Sequence, residues 1–305
     1  MMDKIGENER GLNKDFLKEL FNGDLQWVLQ TVNNKKDIVL AIRHNYIDLY
    51  YEDGRLLNIV QGKKYINGGL YGFYFNPAYI DKEDEKKEFV STVIGQKRIS
   101  EFWKKRVAKF IKWSEKHYKD KKVKQIERYN ERQIMKCNED NKEFCILDME
   151  YAVPKEMVAC KPEIDMIAIS SDNKLVLIEY KNGEKAIGNK QSLSKHHTDF
   201  VNILKSNAID SIKQSAFNML QNKKGLEIIN KNHYKNIKTI DDIKSIEILY
   251  LLSNCKEDST VLQNEIGKIK KQGCSTSCKI MFLEEADYSI SLKKYEEAKN
   301  IFEGK

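Results

Sequence analysis

Two short hydrophobic runs joined by a polar stretch constrain the fold of this 305-residue chain more than any other feature. The first run spans residues 162–169 (PEIDMIAI) and the second spans residues 175–181 (LVLIEYK), with SSDNK between them. Both runs are rich in β-branched residues, which favour strands, and Ser, Asp and Asn favour a tight turn. The pattern therefore predicts an antiparallel β-hairpin.

A hairpin centred on Asp172 would bring charged residues together at its open end. In that register Asp165 faces Glu179 and Glu163 faces Lys181, and all four side chains share one face because strand side chains alternate with period two. Directly opposed Cβ atoms lie about 5 Å apart, so two opposed carboxylates repel unless a cation or a proton lies between them. Mg²⁺ suits such a pair, because it takes one or two protein carboxylates together with water and phosphate oxygens. We therefore expect Asp165 and Glu179 to hold a divalent cation.

Lys181 follows Glu179 by two residues and is predicted to project on the same side of the sheet. An amine at that position can orient or deprotonate an attacking water, or offset the charge of a pentacovalent phosphate. Asp165, Glu179 and Lys181 are therefore the predicted catalytic residues. The alternative is that these are ordinary solvated charges, since many strands end in Glu-x-Lys.

At these residues the chain resembles the PD-(D/E)XK nuclease superfamily, with Asp165, Glu179 and Lys181 at its two acidic positions and its lysine. The resemblance covers roughly residues 121–285, and it departs from the family pattern in that Pro162 is not adjacent to Asp165. It implies an α/β fold with a restriction-endonuclease-like mixed β-sheet core flanked by helices. It also implies Mg²⁺-dependent hydrolysis of phosphodiester bonds, with Mn²⁺ able to replace Mg²⁺, in defence, restriction or repair. DNA is favoured over RNA as the nucleic-acid partner.

The same resemblance implies an auxiliary glutamate on the first core helix. Glu131 is the candidate and Glu127 its rival, with a solvated helix face as the alternative for both; Glu163 is a further auxiliary candidate. Gln214 resembles a glutamine of exonuclease-like branches, but Asn218 stands where those branches have a tyrosine.

The elements around the hairpin are predicted from their hydrophobic spacing. They should form a mixed sheet with both faces covered, and a continuous apolar strand should be buried on both faces. The predicted elements are a helix over 121–137, a strand over 144–153, one long helix over about 191–222, a strand over 246–252, a helix over 261–271 and a strand over 278–283.

The N-terminal part is predicted to be a separate, small antiparallel β-rich domain over residues 1–85. Its expected elements are a short helix over 15–21 and strands over 38–43, 46–51, 55–60 and 70–75, with a tight turn at Asp53-Gly54. Its aromatic residues could stack nucleic-acid bases, but packing of a small core is the favoured interpretation. They include Tyr46, Tyr50, Tyr51, Tyr71, Phe73 and Tyr74.

A basic helical connector over residues 86–120 is expected to join this domain to a nuclease-like domain over 121–305. Residues 97–136 hold 15 Lys or Arg and 5 Asp or Glu, a net charge of +10 in a chain whose total is +7. Such a concentration suits contact with phosphates, although a solvated helix face is the usual reading of a charge run. Lys185, Lys190 and Lys195 follow the hairpin and are the predicted contacts to a bound strand.

Several classes of protein are disfavoured by the sequence. It has no apolar stretch near the roughly 18 residues of a membrane span and no signal-peptide core, so a cytoplasmic protein without a membrane partner is expected. Its six cysteines include no C-x-x-C pair, which favours reduced thiols over a zinc site. His196 and His197 are adjacent on a predicted helix and should face different ways, at the surface or against substrate.

Two questions stay open from the sequence. A homodimer or a partner protein is compatible with the pattern. A nucleic-acid-binding or assembly module that keeps the nuclease fold without catalysis is the alternative to an enzyme.

Overall fold

The computed structural model describes residues 5–35, 37–51, 54–66, 70–77, 92–94, 105, 107–109, 111–112, 126–159, 161–284 and 287–302. The chain divides into two compact units, one of Met1–Arg132 with Gln221–Ile228 and one of Gln133–Leu220 with Ile229–Lys305. The predicted boundaries at residues 85 and 120, and most of the basic connector, lie outside the described residues.

The first unit contains an antiparallel sheet preceded by two helices. Its five strands lie in the order β1-β2-β3-β4-β5, and each is antiparallel to its neighbours. The elements are α1 (Lys14–Asn22), α2 (Gln26–Asn34), β1 (Ile38–Ile42), β2 (Tyr46–Tyr51), β3 (Gly54–Ile66), β4 (Leu70–Pro77) and β5 (Thr92–Ile94). The four predicted strands and the first helix are confirmed, whereas α2 and β5 were not predicted.

Apolar side chains of both helices and of β1 to β3 form the core of this unit. Helix α1 begins where the Asn13 side chain accepts a hydrogen bond from the Phe16 amide at 2.9 Å, which satisfies a donor at the helix start. Tyr50 and Tyr51 are buried, so the packing interpretation is confirmed for these two. The side chains of Tyr71, Phe73 and Tyr74 lie outside the described part of the chain.

The second unit is built on a six-stranded mixed sheet in the order β11-β10-β9-β8-β7-β6. Strands β6, β7 and β8 are antiparallel neighbours, β8, β9 and β10 are parallel, and β11 is antiparallel to β10. The strands are β6 (Phe144–Ala152), β7 (Glu163–Ser170), β8 (Lys174–Asn182), β9 (Ser245–Ser253), β10 (Cys278–Leu283) and β11 (Lys299–Asn300). The predicted mixed α/β arrangement is therefore present, and β9 is buried over Glu247–Ser253 as expected of a central strand.

Six α-helices and a 3₁₀ turn are described from residue 126 onward, and the first and fourth of these helices each have residues in both units. They are α3 (Ile126–Asn138), α4 (Glu184–Ile187), α5 (Leu193–Leu204), α6 (Ala208–Gly225), the turn Ile240–Asp242, α7 (Thr260–Gln272) and α8 (Leu292–Glu296). None of the helices in the described residues combines the length and the apolar composition needed to cross a membrane.

The prediction of one long helix over 191–222 was wrong, because the chain breaks between α5 and α6. Ser206 explains the break: its amide bonds back to the Ile203 carbonyl at 3.1 Å, which closes the last turn of α5. The Ser206 hydroxyl then accepts a hydrogen bond from the Ala208 amide at 3.2 Å and so caps α6. The apolar spacing continued across the break, and a serine that bonds to the backbone ended the helix.

The hairpin register is confirmed where the two strands pair. Ile169 stands opposite Leu175 and Ile167 opposite Leu177, and the ladder continues to the pair Met166 and Ile178. Asn173 closes the turn with φ of 66°, a left-handed conformation that Asn tolerates better than most residues, and its amide bonds to the Ser170 carbonyl at 2.9 Å. Turn chemistry therefore sets which side chains face the same way along both strands.

Candidate active site

Asp165 fastens β7 to β8 through its side chain at the point where the ladder stops. Its Oδ2 accepts a hydrogen bond from the Tyr180 amide at 2.8 Å. The carboxylate is thereby held beside β8, next to the position of Glu179. The last ladder pair is Met166 and Ile178, and the next position on each strand beyond it is Asp165 and Glu179.

Glu179 is fully buried, with a relative exposure of 0%. Its Oε1 lies 2.6 Å from Nζ of Lys181 and 3.1 Å from Nε2 of His196. Lys181 is itself buried. A carboxylate removed from water requires such partners, because an isolated buried charge is very costly. Of the three predicted catalytic residues, Glu179 and Lys181 are therefore in contact, and the Asp165 side chain is bound to the backbone of Tyr180, the residue after Glu179.

His196 joins this cluster, although the sequence led us to expect it at the surface or against substrate. Burial and the charges of Lys181 and Lys195 lower its pKa to about 3, so the imidazole is neutral near pH 7. The sequence held a signal for this position. Leu193, His196, His197 and Phe200 recur at intervals of three and four residues, which places His196 beside the apolar stripe of α5.

His197 is a structural residue of the second unit, so its expected place at the surface or against substrate was wrong. It is fully buried, and burial lowers its pKa, which keeps the ring neutral. Nε2 donates to the Gly273 carbonyl at 3.0 Å, and Nδ1 accepts from the Tyr250 hydroxyl at 2.7 Å. Tyr250 is paired with Glu179 across β8 and β9. The two bonds of His197 therefore hold α5 against the strand next to Glu179.

The three predicted strand-binding lysines are exposed around the start of α5. Lys185 lies on α4, Lys190 in the following loop and Lys195 in the first turn of α5, where its Nζ donates to Gln191 Oε1 at 2.5 Å. Lys195 is close enough to act on the His196 pKa. These charges therefore remain available to an anionic partner.

The auxiliary candidates are placed differently. Glu163 is exposed at the first position of β7, where it pairs with Ala152 of β6. Glu131 is buried and Glu127 half-buried on α3, and both belong to the first unit, whereas Asp165, Glu179 and Lys181 belong to the second. Gln214 donates to Asn218 at 2.7 Å within α6.

A second buried glutamate, Glu247, lies on β9. Its Oε1 is 3.1 Å from Nζ of Lys174, its Oε2 is 3.8 Å from Nζ of Lys279, and the Tyr295 hydroxyl donates to it. Glu247 stands near the start of β9, while Glu179 stands near the end of β8. Because β8 and β9 are parallel, the two glutamates mark opposite ends of the same strand pair.

The donor chemistry of Asp165 and Glu179 fits a divalent cation. In the part of the chain that the structure describes, His, Cys, Asp and Glu side chains do not form a group of three or more suited to a metal ion. Mg²⁺ does not need such a group, since it is commonly bound by one or two carboxylates and completes its shell with water and substrate phosphate. The position also suits a ligand, because α/β sheets bind ligands at the carboxyl ends of their parallel strands.

Comparison with known proteins places the chain in no family. No protein-family model, no curated protein and no solved structure matches it.

Proposed function

We propose that this protein is a Mg²⁺-dependent nuclease that hydrolyses phosphodiester bonds, with DNA favoured over RNA as the substrate. The observation that carries the proposal is the Glu179 carboxylate, which is fully buried, 2.6 Å from Lys181 and next to the strand position of Asp165. The resemblance of these three residues to the PD-(D/E)XK motif supports the same conclusion.

Asp165 and Glu179 are the residues that would hold the metal ion. When bound there, a divalent cation would supply a more acidic water and would offset charge on the phosphate. Mn²⁺ should replace Mg²⁺, because the donors are oxygens in both cases.

Lys181 is the group that would handle the attacking water. Its ammonium lies against Glu179 and is buried, so its position is set before substrate arrives. From there it would orient the water or stabilise the negative charge that develops on the phosphate.

His196 would act as a positioning residue for Glu179. It is neutral near pH 7 and lies 3.1 Å from Glu179 Oε1, so it constrains the carboxylate without adding a positive charge. Lys185, Lys190 and Lys195 would bind the phosphates of the nucleic-acid strand through interactions that weaken as salt rises.

A nucleic-acid-binding or assembly module without catalysis is the second candidate. The observation in its favour is the same burial, since Glu179 has 0% exposure and is already in contact with Lys181 and His196. Such a cluster would also serve as a purely structural ion pair.

A cleavage assay separates the two candidates. The purified chain is incubated with supercoiled plasmid and with single-stranded DNA, in Mg²⁺, in Mn²⁺ and in excess chelator. The enzyme hypothesis predicts cleavage with either metal, none with chelator, and a loss of about a thousandfold in Asp165→Asn and in Lys181→Ala.

Asp172→Asn is the matched control, because it removes a carboxylate from the same hairpin at its turn end, where Asp172 pairs with Lys174 at 2.7 Å. This variant should cleave like the wild type. Cleavage that survives in Asp165→Asn would contradict the assignment, and a wild type that binds DNA without cutting it would establish the binding module.

A further inference from the structure

We propose that Nε2 of His196 is a ligand, beside the Glu179 carboxylate, of the cation that the proposed function requires, and that this nitrogen gives the site a preference for Mn²⁺ over Mg²⁺. The inference rests on the proposed function only in that a cation binds at Glu179. It gives His196 a direct contact with the metal ion, in addition to its contact with the carboxylate.

The first argument is a buried ring nitrogen that is not hydrogen-bonded. Among the described residues, Nε2 of His196 has no hydrogen-bond partner, although it lies 3.1 Å from Glu179 Oε1. Buried polar atoms are nearly always paired, and an exception in a folded protein indicates strain, a functional group, or a bound water or ion. A cation bound at Glu179 would use the lone pair of this nitrogen.

The neighbouring His197 shows that the helix itself does not leave a ring nitrogen unused. Nδ1 of His197 accepts from the Tyr250 hydroxyl and its Nε2 donates to the Gly273 carbonyl, so both nitrogens are satisfied within the fold. The two histidines are consecutive on α5, and the second has no nitrogen left for a ligand. His196 keeps one, and that nitrogen lies against Glu179.

The spacing of the two donor atoms suits ligands of one ion. In an octahedral shell with bonds of about 2.1 Å, neighbouring donor atoms lie about 3.0 Å apart. The 3.1 Å between His196 Nε2 and Glu179 Oε1 is close to that value. Lys181 lies 2.6 Å from the same oxygen. A carboxylate offers about four lone-pair directions, so Glu179 can face an ammonium and a cation together.

A nitrogen donor changes which ions the site prefers. Mg²⁺ and Ca²⁺ are bound by oxygen ligands, whereas imidazole is a ligand of transition metals. Mn²⁺ accepts carboxylate and water oxygens as Mg²⁺ does, and as a transition metal it also accepts imidazole nitrogen. An imidazole beside a carboxylate should therefore bind Mn²⁺ about tenfold more tightly than Mg²⁺.

Electron spin-echo spectroscopy of Mn²⁺ added to the full chain tests the ligand directly. A bonded imidazole modulates the Mn²⁺ echo through its ¹⁴N nucleus, and protein grown on ¹⁵N-histidine should show the ¹⁵N pattern instead. Both measurements use the wild-type sequence, so they need no variant. Mn²⁺ that binds without nitrogen modulation would overturn the inference and leave the proposed function standing. A chain that does not bind Mn²⁺ would overturn both.

His196→Gln identifies the nitrogen, and His233→Gln is the matched control. Gln offers an amide oxygen in place of the imidazole nitrogen, so the modulation should disappear in His196→Gln. His233 also lies against a carboxylate, with Nδ1 3.0 Å from Asp140 Oδ1, but that carboxylate is 53% exposed and already accepts from the Asn230 amide. Modulation should therefore persist in His233→Gln. Its loss there, with retention in His196→Gln, would overturn the assignment.

Metal affinities separate a ligand from a residue that only positions Glu179. In His196→Gln the Kd for Mn²⁺ should rise about tenfold, while the Kd for Mg²⁺ should change less than about threefold, because Mg²⁺ accepts the amide oxygen. Isothermal titration calorimetry without nucleic acid measures both constants. Equal changes for the two ions would overturn the inference, since they would show that His196 acts only by holding the Glu179 carboxylate.

Discussion

The two ends of the parallel strand pair β8 and β9 hold buried glutamates in different settings. At the amino-terminal end, Glu247 is bound by Lys174, Lys279 and the Tyr295 hydroxyl. At the carboxyl-terminal end, Glu179 contacts Lys181 and the neutral His196, and Asp165 is bound to the amide of the following residue, Tyr180. Among the described residues, two lysines lie against Glu247, one of them shared with Asp172, while Glu179 lies against Lys181 and a neutral imidazole.

The difference indicates what each end is built for. A buried carboxylate with full compensation needs nothing else and serves the fold. A carboxylate pair such as Asp165 and Glu179 would gain stability from a bound cation, which is the role that we propose for this end. Similar burial therefore accompanies a structural role at one end and the proposed catalytic role at the other.

The largest expected contrast between the ends is in activity. Glu179→Gln should lower DNA cleavage about a thousandfold, because the isosteric amide loses the charge that would hold the cation. Glu247→Gln should stay within a fewfold of wild type. Initial rates of plasmid nicking at saturating Mg²⁺ measure both, and equal losses in the two variants would remove the distinction.

Stability should show the opposite ranking. Glu247→Gln removes the carboxylate partner of the half-buried Lys279 and one of the two partners of Lys174, which keeps Asp172, and should lower the free energy of unfolding by about 2 kcal/mol. Glu179→Gln takes the charged partner from the buried Lys181 but also removes repulsion with Asp165, and because the two effects oppose each other its change should be within about 1 kcal/mol. Urea unfolding without metal compares the two, and a greater loss in Glu179→Gln would reverse our assignment of roles.

Lowering the pH should reduce the free energy of unfolding through the two ends of the β8 and β9 pair in different pH ranges. Burial holds the folded-state pKa of His197 below its ordinary value of 6.5, so the unfolded chain binds the proton more readily. The contribution of neutral His197 is present above pH 6.5 and is lost as the pH falls below it, by up to about 1.4 kcal/mol per pH unit. Burial acts to raise the pKa of Asp172, but hydrogen bonds from Lys174 and Ser170 outweigh it and hold that pKa below 3.8, so its contribution is lost only below that value.

His197→Gln tests this separation. Gln keeps a donor for the Gly273 carbonyl but does not titrate, so the slope of unfolding free energy against pH should decrease by up to one proton between about pH 4.5 and 6.5. Asp172→Asn should leave that interval unchanged. A slope in His197→Gln equal to that of the wild type would show that His197 does not carry the effect.

The smallest effect is the stabilisation by metal alone. At a Mg²⁺ concentration about tenfold above Kd, binding to the folded state should add about 1.4 kcal/mol to the free energy of unfolding. Asp165→Asn should abolish this increment, and Asp172→Asn should keep it. Thermal unfolding with and without Mg²⁺ measures the difference. A wild-type Tm that does not change on addition of Mg²⁺ would argue against a cation site.

The local part of this site could be predicted from the sequence. The turn residues centre the hairpin, and the register fixed at Ile169 and Leu175 holds as far as Met166 and Ile178, one position before the charged residues. The mixed sheet likewise follows from a long helical crossover between β8 and β9, which parallel neighbours require.

The remaining features depend on distant contacts that spacing does not encode. The hydrogen bond from the Tyr180 amide to Asp165 replaces a ladder bond, and the contact of His196 with Glu179 depends on how α5 packs. The break at Ser206 shows a side chain overriding a continuous apolar pattern.

Helix α5 reaches two strands with consecutive residues, His196 toward Glu179 and His197 toward Tyr250. Each residue turns a helix by about 100°, so these two anchors leave the helix a single rotational setting about its axis. One residue inserted between Leu193 and His196 would rotate both imidazole rings away from Glu179 and Tyr250. An insertion in the loop before Leu193 would lengthen the loop and leave the orientation of α5 unchanged. The length of this first turn is therefore under tighter constraint than the identity of its outward-facing residues.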